Sequence, residues 1–139
     1  RMVCFGRPDE DLVRRYGAAT RVEAAAMSMC VPGTRYCDIL EVQKRVYAET
    51  GFADEWRNHF QGAITGYLLA NPSLCKDPAA VVGPNQAWDW FITITGAKVE
   101  ELVINTAVGV EVPSVSGAWP TTEVEYNGVA FRLPEILVK

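Results

Sequence analysis

A chain of 139 residues, 49% hydrophobic and 22% charged, suffices for one domain around one core and excludes a disordered polymer. Its net charge of -4, with scattered basic residues, excludes the electropositive stripe that nucleic acid or an anionic membrane requires. No apolar run approaches the roughly 18 residues that span a bilayer, and Arg1–Gly6 lacks the regions of a signal peptide, so a soluble, cytoplasmic protein is expected.

Residues 1–6 read as the end of a short apolar strand, and Pro8-Asp9-Glu10 as a helix start. Leu12, Tyr16, Ala19, Val22, Ala26 and Met29 then recur at steps of three and four, the spacing of an amphipathic helix, until Pro32-Gly33 stops it. Thr34 or Asp38 is positioned to cap a second helix running to about Thr50, with Ile39, Leu40, Val42, Val46 and Tyr47 on its apolar side and Gly51 as its stop. From Phe52 to Gly83, glycines and prolines break every period, which predicts irregular chain of the kind that carries sites.

The character changes at Gln86. Trp88–Thr95 and Val99–Thr106 are rich in aromatic and β-branched residues and are separated by Gly96, so paired strands are predicted. Thr122–Tyr126 and Val129–Leu133 alternate about Asn127-Gly128, the favoured pair for a two-residue hairpin turn. Helices followed by antiparallel strands predict a single α+β domain over 1–139, two helices packed on an antiparallel sheet. Cys4, Cys30, Cys37 and Cys75 are spaced too irregularly for a metal or redox motif, and reduced, buried thiols are expected.

The one histidine, His59, lies in Glu55-Trp56-Arg57-Asn58-His59-Phe60-Gln61-Gly62-Ala63-Ile64-Thr65-Gly66-Tyr67. A lone histidine is more often structural than catalytic. Here Trp56, Phe60 and Tyr67 supply aromatic surface, and Gly62 and Gly66 allow close backbone approach, so a concave site walled by Trp56 or Tyr67 is expected. Asp54-Glu55 is read as a solvated acidic pair, and Trp88, Trp90 and Phe91 as fillers of the sheet's core. Ser73, Ser114 and Ser116 have no histidine at a useful spacing, so nucleophilic hydrolysis has no support.

The glycine-punctuated stretch His59–Gly66 resembles the His-x-x-Gly-His-x-x-Gly loop of the pita-bread metallopeptidases: creatinase, aminopeptidase P, prolidase and methionine aminopeptidase. The resemblance extends over nearly the whole chain. Arg1–Gly6 resembles the segment after the second metal-binding aspartate of that family, which places both family aspartates upstream of Arg1. Val22 to Thr34 and Asp38 to Gly51 resemble its helix, Pro-Gly turn and second helix. Asn85–Ile92 resembles the strand carrying a glutamate ligand, and Lys98–Ile104 its last ligand-bearing strand.

The resemblance implies a role for each matched position. His59 falls on the histidine that positions substrate and handles protons, Ala63 on the metal-ligand histidine and Ala70 on a second catalytic histidine. Phe91 takes the place of the first glutamate, with Asp89 close by but out of register, and Glu100 that of the last one. Periodicity leaves open which of Glu100 and Glu101 faces inward, and a solvated Glu100 paired with a basic neighbour is an equal reading. The family uses two divalent metal ions, whose mutual repulsion several anionic oxygens must offset. With one ligand of five left, no metal or other cofactor is expected in this chain. The implied function is that of an Xaa-Pro dipeptidase- or aminopeptidase-like protein, a hydrolase by family, whose chain as given is inactive. The alternative is a non-catalytic peptide- or protein-binding module on the same scaffold. Expected partners are a small peptide or amide at Trp56, His59 and Tyr67, and either a second copy in a homodimer or a missing amino-terminal fragment.

Overall fold

A computed structural model describes residues 1–66 and 75–139. Helix α1 spans Glu10–Ser28 and begins as the sequence predicts: the Asp9 side chain accepts from the Leu12 N–H at 2.7 Å, and Glu10 and Asp11 sit in the first turn, where the helix dipole favours negative charge. Its inner face is made of small residues. Ala18, Ala19, Ala24, Ala25 and Ala26 are buried together with Val22 and Met27. Helix α2 spans Tyr36–Glu49, and neither Thr34 nor Asp38 caps it. The cap position is Arg35, whose guanidinium is bound by Asp38 at 2.6 and 2.9 Å; the Tyr36 N–H is satisfied by the Ala80 carbonyl at 3.1 Å. A tertiary bond has replaced the local cap.

Strands β1 (Val3–Cys4), β2 (Gly62–Ile64), β3 (Ala87–Ile94), β4 (Ala97–Thr106), β5 (Gly109–Glu111), β6 (Thr121–Tyr126), β7 (Val129–Pro134) and β8 (Leu137–Val138) complete the described elements. The main sheet has the order β2-β3-β4-β5 with antiparallel neighbours. The two helices pack on one of its faces. β6 and β7 form the expected hairpin, and Asn127 and Gly128 take the positive φ values of 50° and 79° that a tight primed turn demands. β1 pairs in parallel with β8, a contact between chain ends that local pattern could not reveal.

Alternation along β3 sends Trp88, Trp90, Ile92 and Ile94 into the helices, where all four are fully buried. The Trp88 and Trp90 rings stack with centroids 5.4 Å apart, and Tyr36 meets Trp88 edge-on at 5.1 Å. Gly62 lies opposite Trp90, and a side chain there would run into the indole. Phe91 departs from the expectation: it is buried but lies on the other face of β3, outside the main core cluster.

The interval 52–83 is less irregular than the sequence implies. It holds a 3-10 turn at Glu55–Arg57 and all of β2, a strand too short and glycine-marked to show a period. The thiol expectation is also corrected. Cys37 and Cys75 form a disulfide, with Cα atoms 4.7 Å apart, and neither is buried; Cys30 is a buried free thiol and Cys4 a half-exposed one. A separation of 38 residues left no local signal of this pairing.

Glu23 lies in the core with both carboxylate oxygens lacking a hydrogen-bond partner. Burial pushes its pKa well above the ordinary carboxylate value; Arg1 and the amino terminus oppose this, and Glu100 and Asp89 add to it. The folded state therefore holds a proton that the unfolded chain releases. Stability from this group is complete below the unfolded carboxylate pKa and declines as pH rises towards the folded one. Glu23→Met should raise stability at pH 7 by about 1–3 kcal/mol, as expected when an unsatisfied buried polar group is removed, and should flatten the pH dependence of the urea midpoint above pH 5. Gly62→Ala should lower the midpoint, because Trp90 must leave its stack to admit the new methyl group.

Candidate functional site

The face of the main sheet opposite the helices carries Ala63 from β2, Asp89, Phe91 and Thr93 from β3, and Lys98, Glu100, Leu102 and Ile104 from β4. The register fixes this set: Ala63 pairs with Asp89, Asp89 with Leu102 and Phe91 with Glu100, while Trp90 pairs with Glu101 on the helix side. Structure thus separates the two glutamates. Glu101 is buried, ion-paired with Arg1 and accepting from the Ser114 hydroxyl at 2.5 Å; Glu100 is exposed and paired with Lys98 at 2.7 Å. Asp89 is half-buried, and its pKa is raised by burial and by the neighbouring Glu100 carboxylate, with Lys98 acting against both.

His59 stands at the edge of this face. Its ring stacks on Phe60 at 5.1 Å and meets Phe91 edge-on at 5.5 Å; Phe60 meets Phe91 at 5.2 Å. The imidazole is exposed. Trp56, expected as a wall of the site, has its ring covered by Lys44 and Arg57, with the cations 4.5 and 4.6 Å from the centroid. Tyr67 and Ala70 lie outside the described residues. The structure therefore brings together His59, Ala63, Asp89, Phe91 and Glu100, with Phe60 supplying the aromatic contact to the imidazole that the sequence reading named.

Sequence reasoning missed what holds this loop. Gln61 is buried, and its side-chain oxygen accepts from the Tyr47 hydroxyl at 2.5 Å and from the Thr93 N–H at 3.0 Å. Its amide group donates to the His59 carbonyl, and its own carbonyl accepts from the Phe91 N–H at 3.2 Å. Tyr47 also reaches the Thr93 carbonyl at 2.9 Å, and burial raises its pKa far above the ordinary tyrosine value. One glutamine side chain thus ties α2, β3 and the backbone of His59. Glu55 fastens the preceding turn: it accepts from the Thr95 N–H and hydroxyl, both at 2.9 Å, and from Asn58 at 3.1 Å. Burial pushes its carboxyl up, but these bonds outweigh it and hold the pKa below the ordinary value.

The donors on this face do not fit a two-metal centre. Ala63 and Phe91 offer a methyl and a phenyl where the resemblance places ligands, and Glu100 is engaged by Lys98. Among the described residues, no group of three or more histidine, cysteine, aspartate and glutamate side chains stands where it could hold a metal ion.

The fold is that of the pita-bread peptidases. Dipeptidase PepE from Mycobacterium ulcerans superimposes with a TM-score of 0.72 at 20% identity, over 98% of this chain and 34% of that one. X-Pro aminopeptidase from Thermotoga maritima gives 0.72 at 15% identity, over 99% of this chain and 36% of that one. Prolidase from Pyrococcus furiosus gives 0.66 at 17% identity, over 80% and 34%. The chain thus spans about a third of the length of these structures. It fits a carboxy-terminal part of that fold, as the sequence resemblance implied. No protein-family model and no curated protein matches the sequence.

Gln61→Ala removes the shared acceptor and leaves the half-buried Thr93 N–H without it, and is expected to cost about 1–3 kcal/mol. Tyr47→Phe should cost less, about 0.5–1.5 kcal/mol, because Thr93 still bonds Gln61. Urea unfolding measures both. Amide exchange at residues 59–62 should rise more in the glutamine variant.

Proposed function

We propose that this chain is the carboxy-terminal part of an Xaa-Pro dipeptidase- or aminopeptidase-like protein and that its open sheet face receives a small peptide or amide. The observation that carries this reading is the register that places the His59 loop, Asp89, Phe91 and Glu100 on one face, opposite the helices. His59 positions the substrate, packed on Phe60 and Phe91. A ring packed on Phe91 and a backbone held by Gln61 give that imidazole a fixed place.

Hydrolysis by these residues alone is not part of the proposal. Among the described residues, Ala63 and Phe91 offer no donor with which to hold ions that would generate a nucleophilic water, and Glu100 serves as the ionic partner of Lys98. A second copy of the chain, or an amino-terminal part of the same fold, is the partner in this reading; Val3, Phe5 and Val138, all exposed on or beside the β1–β8 pair, support an apolar surface for it. A cytoplasmic location is kept in this reading for its lack of a signal-peptide pattern, and there the Cys37–Cys75 bond would stand against a reducing pool. Among the described residues, no helix is long and apolar enough to cross a membrane.

The test is calorimetric titration of the dialysed chain with an Ala-Pro dipeptide, beside a hydrolysis assay with and without manganese. Expected are binding weakened about tenfold by His59→Ala, the loss of roughly 1.4 kcal/mol of contact, and no turnover under either condition. Manganese-dependent cleavage abolished by Glu100→Gln would overturn the inactive reading. Dipeptide affinity unchanged in His59→Ala would remove His59 from the site.

A further inference from the structure

Strand β1 carries an open hydrogen-bonding edge. Its parallel pairing with β8 fixes which backbone groups are engaged: the Met2 and Cys4 carbonyls accept from the Leu137 and Lys139 N–H groups at 3.0 and 2.9 Å, and the Gly6 N–H donates to the Lys139 carbonyl at 2.6 Å. Residues 2, 4 and 6 therefore face β8, and the N–H and C=O groups of Val3 and Phe5 point the other way. Among the described residues, none bonds to those four groups. Such an edge is a template for another strand.

The side chains at the same two positions are apolar and bare, with Val3 45% and Phe5 86% exposed. They alternate with Cys4 and so share one face of the strand; Cys4, a half-exposed free thiol, lies on the other with its register partner Val138. Arg1 brings no loose charge to this edge, since Glu101 holds its guanidinium.

The edge is symmetric about Cys4. A second β1, running antiparallel with both Cys4 residues on the twofold axis, would form four hydrogen bonds: Val3 exchanges two with the partner's Phe5, and Phe5 two with the partner's Val3. The same register lays each Val3 against the partner's Phe5, an aromatic and β-branched pair of the kind that stabilises sheets. A strand of unrelated sequence would satisfy the backbone and leave that side-chain match to chance. We propose that two copies of this chain associate through β1, in a twofold antiparallel pairing centred on Cys4 that gives the strand order β8-β1-β1-β8. This deepens the partner reading given above and rests on it for the choice of face. Few residues take part, so the dimer is weak and reversible. Cys4 then stands opposite the partner's Cys4 at a non-hydrogen-bonded position, with Cα atoms about 4.5 Å apart, within reach of a disulfide.

The test is sedimentation velocity of the whole chain from low micromolar to near-millimolar concentration, with hydrogen exchange and diamide oxidation in parallel. Expected are a monomer–dimer equilibrium, slower exchange of the Val3 and Phe5 amides as concentration rises, and a cross-link between Cys4 and the partner's Cys4 identified by peptide mass. Diamide takes up the two thiol hydrogens, and buried Cys30 does not compete. Phe5→Lys should leave the urea midpoint unchanged, abolish the dimer and slow the cross-link about tenfold. Val108→Lys, at a 90% exposed position between β4 and β5, should change neither. A chain still monomeric near millimolar concentration, a dimer that survives Phe5→Lys, or a cross-link formed equally fast in that variant would overturn the pairing. So would Val3 and Phe5 amides protected at every dilution, since the edge would then be covered without a second copy. The dipeptide titration reads the His59 face separately: binding lost with the dimer intact would remove the proposed ligand and leave this interface standing, and the converse result would remove the interface alone.

Discussion

The structure depends on one packing constraint: the stacked, fully buried rings of Trp88 and Trp90 share a single core with the buried alanines of α1, which packs on β3 and β4. Small side chains on the helix let it approach a strand that carries two of the largest, and the dispersion gain from such contact is collective. Once those indoles are committed inward, β3 has no freedom of register. A shift by one residue would bury Asp89 and expose both tryptophans. Everything on the opposite face follows, because Asp89, Phe91 and Thr93 are the alternate residues of the same strand.

The outward face is then shaped by polar contacts of a different kind. Gln61 converts the start of β2 from a glycine-rich connection into a fixed support, since its one side chain meets a tyrosine hydroxyl, a strand N–H and the His59 carbonyl. Packing decides which face exists, and this network decides where the imidazole stands on it. The fold is that of the pita-bread peptidases, while Ala63 and Phe91 present a methyl and a phenyl group on this face.

Much of this was legible in residue patterns. The α1 stripe, the Gly96 break between β3 and β4 and the Asn127-Gly128 turn are local signals, each set by backbone preference or by a period, and each element stands where the sequence predicts. The choice between Glu100 and Glu101 was not legible, because both alternate with apolar neighbours; the register that pairs Glu101 with Trp90 puts it inside, where Arg1 and the Ser114 hydroxyl meet it. Gln61, the β1–β8 pairing and the disulfide were hidden for one common reason. Each joins positions far apart in the chain, which no window of sequence contains. Tertiary bonding likewise overrode the capping signals of Thr34 and Asp38.

The central claim is that His59 rests on the outward face of β3 through Phe91, with the tryptophans on the far side. Proton NMR measures this directly through cross-relaxation from the His59 ring. The account predicts cross-peaks from the imidazole protons to the ring protons of Phe91 and Phe60, and none to the indoles of Trp88 or Trp90. Cross-peaks to either tryptophan, or an imidazole with no aromatic neighbour, would contradict it.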